Sequence, residues 1–186
     1  MTRPALAAFA GRVTIGRQTQ RSSLVCMMKL ARHDIVREPM DDLYDRLISF
    51  VAERSKTFSL TLIDVARKNA HALFILESLS PHLVRSGEAR EWPGTELMKG
   101  YSAVLHTYRV APPALATLRK STRRLYEWQA PNFPDDLCFY RPDGTWVLTT
   151  TAHEGEADLH LTDSEHKEVR AELPELALRR HRSRSN

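Results

Sequence analysis

Hydrophobic residues in this chain change their spacing once, and the change falls at Pro131 and Pro134. Before it, apolar side chains recur at three and four residues, the repeat that gathers them on one side of a helix. After it, β-branched and aromatic residues alternate with polar ones in short runs, the repeat of strands. A single switch of period predicts an α+β chain with its helices first and its strands second.

The helical half divides at its turn residues. Leu43, Tyr44, Leu47, Ile48 and Val51 share one side of a helix over 41–54. Phe58, Leu62, Val65, Leu73, Leu76 and Leu79 mark the buried stripe of a central helix over 59–79, broken by Pro81 and Gly87. Trp92-Pro93-Gly94 is a turn, and Thr95 caps a third helix carrying Leu97, Met98, Tyr101, Val104, Leu105 and Tyr108. Pro112-Pro113 opens a fourth helix running to Trp128, with Leu115, Leu118 and Leu125 inward. Short connections favour antiparallel packing of the four.

Beyond the prolines, 137–140 and 145–151 form a hairpin about Pro142-Asp143-Gly144. Ala157, Leu159 and Leu161 alternate with Asp158 and His160 in a third, half-buried strand. Thr162 and Glu165 have the Thr-x-x-Glu spacing of a capping box, which opens a last helix ending near Leu173. The expected fold is an N-terminal four-helix bundle (41–128), then a three-stranded antiparallel β-meander with a C-terminal helix (135–173). Together they form a single α+β domain over 40–176.

Charge separates along the chain. Residues 1–33 contain Arg3, Arg12, Arg17, Arg21, Lys29 and Arg32 and no acid, and the last residues contain Arg179, Arg180, Arg182 and Arg184. The first segment is read as a disordered extension over 1–39, or an over-long reading frame starting naturally at Met27 or Met28. The second is read as a disordered basic tail over 177–186. All 23 acids lie between them, so the interior is acidic although the whole chain carries +4. The excess is concentrated in 135–175, where eleven acids face three bases. The two cysteines, Cys26 and Cys138, make no disulfide framework, which fits a reducing cytoplasm. No apolar run has the length of a transmembrane helix.

Few residues carry a pattern that points to chemistry. His153-Glu154-Gly155-Glu156-Ala157-Asp158-Leu159-His160 holds metal-ligand side chains, but its spacing fits no established motif, and a solvated loop with an outer strand face accounts for it. Cys138 lies among apolar residues and reads as a packed thiol rather than a nucleophile. His71 and His106 read as helix histidines. No Gly-rich phosphate loop and no Gly-x-Ser-x-Gly elbow occurs. No catalytic residue, metal site or cofactor is expected. The stretch 137–143 and His153-Glu154 resemble segments of small bacterial proteins, a likeness that implies no activity.

The leading expectation is a non-enzymatic cytoplasmic module that binds another protein, with a basic partner fitting the acidic half. An antitoxin, immunity or defence-accessory protein has this size and charge. Glu154, Glu156, Asp158 and His160 would form the partner surface, with Trp146 or Tyr140 as the apolar anchor. One alternative is a nucleic-acid-associated protein using Arg119, Lys120, Arg123 and Arg124 of the fourth helix together with the basic tails. Another is a metal-dependent enzyme at the His153 loop.

Overall fold

The computed structural model describes residues 29–181. Its frame is an eight-stranded antiparallel sheet in the order β10-β1-β9-β8-β7-β2-β6-β3. The strands are β1 (Ala31–Ile35), β2 (Thr57–Leu62), β3 (Leu83–Ala89), β6 (Ala103–Arg109), β7 (Asp135–Tyr140), β8 (Trp146–Thr151), β9 (Glu156–Leu161) and β10 (Leu178–Arg180). A separate short hairpin joins β4 (Glu91–Trp92) to β5 (Thr95–Glu96). Among the described residues four α-helices complete the fold: α1 (Asp41–Glu53), α2 (Ala70–Leu79), α3 (Pro112–Ser121) and α4 (Asp163–Glu172).

The four-helix bundle is therefore overturned, and the first half of the chain alternates helix with strand. The expected central helix over 59–79 is a strand, a short 3-10 turn (Ala66–Lys68) and an α-helix. Its first part is β2, where Phe58, Leu60 and Leu62 point to the core at strand period while Ser59 and Thr61 are buried on the other face. A strand enclosed on both faces loses the polar half of its alternation, and its apolar run then mimics a buried helix. Only α2 is α-helical, and its register differs from the expected stripe: Leu73 is 43% exposed and Val65 62% exposed, while Ala72, Ile75 and Leu79 are buried. Asn69 caps it by accepting from the backbone N–H groups of His71 and Ala72.

The expected third helix is absent. Thr95 lies in β5, and 103–109 forms β6, paired with β2 and β3. Tyr108, His106 and Val104 share one face of that strand, with Tyr108 stacked on Phe58 across the sheet. Met98 and Tyr101, expected inside a helix, are exposed. The fourth helix begins at Pro112 but stops at Ser121, and Leu125–Glu127 is a separate single turn. Arg123 and Arg124 consequently lie outside the helix, so the four basic residues form no helical stripe.

In the second half, β7, β8 and β9 lie where three strands were expected, but they are the middle of the large sheet rather than a meander of their own. The hairpin turn closes with Gly144 at φ 86, and Thr162 with Glu165 forms the capping box of α4. Two further strands fall in segments read as extension and tail. β1 pairs with β9 and with β10, so residues 31–35 and 178–180 close one side of the sheet. The extension and basic-tail readings for 1–28 and 182–186, and the reading of Cys26, lie outside the described residues.

One face of the sheet packs under the helices. Leu137, Phe139, Leu148, Leu159 and Leu161 meet Tyr44, Leu47, Ile48 and Val51 of α1 and Val169 of α4 in one core. Trp128 is fully buried there and donates its indole N–H to the Tyr44 hydroxyl at 3.1 Å. Arg141, at the end of β7, ties three elements together: it donates to both carboxylate oxygens of Glu165 at 2.7 and 2.8 Å and to the His160 carbonyl at 2.9 Å. No helix among the described residues is long and apolar enough to cross a membrane.

Candidate functional site: an open sheet face and a carboxylate-floored cleft

The face of the sheet turned away from the helices is polar and rich in threonine. Strand alternation that sends Ala157, Leu159 and Leu161 into the core leaves Asp158 and His160 on this side, opposite Thr149 of β8 and Arg32 of β1. Trp146 and Tyr140 are partners in register and lie on the same face. Trp146, Glu156, Asp158 and His160 surround one depression of about 250 Å3, together with Arg32, Gly94, Thr149 and Thr151. Four of the six residues expected to bind a partner are thus brought together. Glu154 is exposed in the single helical turn Ala152–Glu154 beside it, and the Tyr140 hydroxyl is engaged with Ser59 Oγ at 3.0 Å.

The electrostatics of this face differ from an unbroken acidic patch. Asp158 is paired with Arg32 at 2.8 Å, a cation contributed from a segment expected to lie outside the domain. Burial pushes the Asp158 carboxyl up, and Arg32 pulls it back. His160 is brought down to about 4, chiefly by burial and then by Arg32 and Arg141, so its imidazole is neutral near pH 7. Trp146 is 44% exposed and meets the His160 ring edge-on, with centroids 5.3 Å apart. The negative charge free to meet a partner therefore rests with Glu154 and Glu156, both exposed.

A second feature lies on the far side of the β4–β5 hairpin. The hairpin folds down against β8, and Gly94 at φ 83 comes so close to Thr151 that a Cβ there would overlap the threonine Oγ1. Only glycine meets both conditions. Trp92 from this hairpin donates its indole N–H to Asp136 Oδ2 at 2.7 Å; Thr95 Oγ1 donates to the same oxygen at 3.2 Å, and the Ala152 N–H to Oδ1 at 2.8 Å. Asp136 thus latches the hairpin to β7 and to the turn after β8.

Between hairpin and sheet is a cleft of about 530 Å3, and both Asp135 and Asp136 line it. Neighbours in a regular strand point to opposite faces. Here the register against β2 slips between Ser59 and Thr61, and Asp136 takes a left-handed φ of 53 at the irregularity. The bulge turns both carboxyls to one side. Asp135 is 5% exposed; its Oδ1 accepts from the Ala130 N–H at 2.8 Å, and its Oδ2 has no partner among the described residues. Burial first, and then the charge of Asp136, push the Asp135 carboxyl up to about 6, against the Ala130 hydrogen bond and His153. Asp136 is also raised by burial. The walls are apolar, with Trp92 inside and Val65, Met98 and Tyr101 exposed around the mouth.

The other residues singled out from the sequence stay apart. His153 is exposed at the rim of the cleft and lies 3.8 Å from Glu154, whereas His160 is held against Trp146. No group of three or more His, Cys, Asp or Glu side chains that could hold a metal ion occurs among the described residues. Cys138 is fully buried on β7, and burial raises its thiol to about 12. His71 lies in the first turn of α2, edge-on to Phe133, and His106 is on β6, not in a helix, lowered by burial. Arg119 donates to Ser49 Oγ at 2.8 Å, Arg123 pairs with Asp41 at 3.0 Å and Arg124 with Glu38 at 2.7 Å, while Lys120 is exposed.

Arg32, Trp92, Asp135 and Asp136 were not singled out as site residues from the sequence. The available signal was the pair of adjacent acids directly ahead of the apolar run 137–140, where two successive carboxylates cannot both face water from a regular strand. Comparisons of the chain with protein-family models, with curated proteins and with solved structures found no match.

Proposed function

We propose that this is a non-enzymatic module that binds another protein through the open sheet face around Trp146. The observation that carries the reading is an indole left 44% exposed on a face whose neighbouring threonines are buried, its edge held by a neutral His160. Exposed, pre-positioned tryptophans next to a polar rim are the usual energetic anchors of interfaces. Glu154 and Glu156 beside it favour a partner with a basic surface and would raise its association rate more than its affinity. A role as an antitoxin, immunity or defence-accessory protein agrees with this surface and with the acidic second half of the chain. Residence in the cytoplasm rests on the sparse cysteines and on Cys138 standing as a buried free thiol. The basic residues near α3 support a nucleic-acid reading less well, because Arg123 and Arg124 are already paired with carboxylates.

The test is a parallel affinity purification with the wild-type chain, Trp146→Ala, the double reversal Glu154→Lys/Glu156→Lys, and Lys120→Ala as control. A protein retained by wild type and by the control, lost with Trp146→Ala and slower to associate with the double reversal at low salt, is the expected result. Asp158 is left out of the reversal because its removal would strand Arg32. Retention that is indifferent to Trp146 and Glu156 but abolished by Lys120→Ala would sink the assignment of this face.

A further inference from the structure

We infer that the cleft between β7 and the β4–β5 hairpin is a binding site for a small organic cation, a protonated amine carried on an aliphatic or aromatic body. This site is separate from the partner surface at Trp146, and the two assignments stand or fall independently.

The floor sets the charge of the ligand. Glu96, Asp135 and Asp136 all line the cleft, and among the described residues that line it only His153 is basic, with no lysine or arginine. Asp136 is saturated by Trp92, Thr95 and the Ala152 N–H. Asp135 is not: one oxygen is buried with no partner among the described residues, while the other accepts a single backbone hydrogen bond. A buried carboxylate short of donors is costly, and a ligand that brings N–H donors and positive charge removes that cost. An anion would meet three carboxylates. A neutral ligand would leave the charge uncompensated. A metal ion would lack a convergent set of ligands, since no group of three candidate ligands occurs among the described residues.

The walls set the body of the ligand. Ile63, Trp92 and Leu97 line the interior, and Val65, Met98 and Tyr101 are 62%, 75% and 59% exposed about the mouth. Such a cluster of uncovered apolar side chains around a concavity marks a binding site. The volume of about 530 Å3 lies in the range of small-ligand pockets and exceeds by several times what the butyl stem of one lysine would fill. A free amine on an aliphatic or aromatic body can use that room, and a partner's lysine is the competing occupant that the titration separates. Two positioned carboxyls on a bulge and a latched hairpin supply orientation without ordering a loop on binding, which preserves affinity.

The experiment titrates the full chain with 2-phenylethylammonium and octylammonium, with 2-phenylethanol as the neutral analogue and with a short lysine-containing peptide. Binding is read by calorimetry and by backbone amide shifts. Saturable binding of the amines is expected, with shifts confined to 63–65, 92–101, 129–136 and 153. The alcohol and the peptide should bind at least about tenfold more weakly. Asp135→Asn retains the acceptor for the Ala130 N–H and should weaken amine binding by about tenfold or more. Met98→Ser, at an exposed position that leaves the fold intact, should weaken both 2-phenylethylammonium and octylammonium. Equal affinity for amine and alcohol, no saturable shift in the cleft, or indifference to both variants would overturn the assignment. A preference for the peptide over the free amines would overturn it in favour of a partner's lysine.

Discussion

Raising the pH from 4 to 7.5 should destabilise the wild-type protein through Asp135, and Asp135→Asn should abolish that component. The carboxyl is raised from an ordinary 3.8 to about 6 because it is buried, with a second carboxyl beside it. Its folded pKa exceeds its unfolded one, so the native state holds the proton more tightly. The stability linked to that proton is fully present below about pH 4 and is lost as pH rises through about 6. A displacement of about two units at 1.36 kcal/mol each sets an upper bound of about 3 kcal/mol on the loss. Asparagine keeps the Ala130 hydrogen bond but places an unpartnered amide where Oδ2 sat, at a pH-independent cost of about 1–3 kcal/mol. The variant should therefore be the less stable protein at pH 4 and should equal or surpass wild type at pH 7.5. Urea unfolding of both proteins at five pH values, followed by far-UV circular dichroism, measures the difference and cancels groups common to both. A wild-type-minus-variant difference flat to within about 0.5 kcal/mol across that window would refute the argument that burial controls this carboxyl.

Two further outcomes follow from packing. Leu79→Ala should cost about 2–5 kcal/mol because the side chain is fully buried, whereas Leu73→Ala, at a position 43% exposed, should cost less than about 1 kcal/mol; thermal unfolding of the pair tests the register of α2. Arg141→Ala removes a bidentate partner from a largely buried Glu165 and a donor from the His160 carbonyl, and should cost about 3–5 kcal/mol with little dependence on added salt, measured by urea unfolding at 0.05 and 0.5 M sodium chloride.

What could be read locally from the chain is what local rules decide. The amphipathic repeat of α1, Pro112-Pro113 at the start of α3, the turn at Gly144 and the Thr162–Glu165 capping box each involve residues within a few positions of one another, and each is present. The bundle failed where the sheet overrode local spacing. Residues 57–62 and 103–109 carry apolar side chains compatible with either period, and their backbone hydrogen bonds are made to each other and to β7 and β3. A helix there would have left the centre of the sheet unpaired.

The site was less legible than the fold. Strand alternation groups Glu156, Asp158 and His160, whereas Trp146, two residues from the core-facing Leu148, joins their depression only through the register shift between β7 and β8. Its electrostatics depended on Arg32, more than a hundred residues away, which reaches Asp158 only because β1 pairs with β9. The cleft rests wholly on tertiary structure: Asp135 and Asp136 face one side because a register slip against β2 bulges the strand, and the hairpin bearing Trp92 closes over them. By itself the sequence determined the Thr162–Glu165 capping box, the turn at Gly144 and the outward placement of His160, because these follow from neighbouring side chains and backbone geometry. The strand order and the buried, under-partnered carboxyl were decided only by the fold, because hydrogen-bond register and burial depend on which distant segments meet.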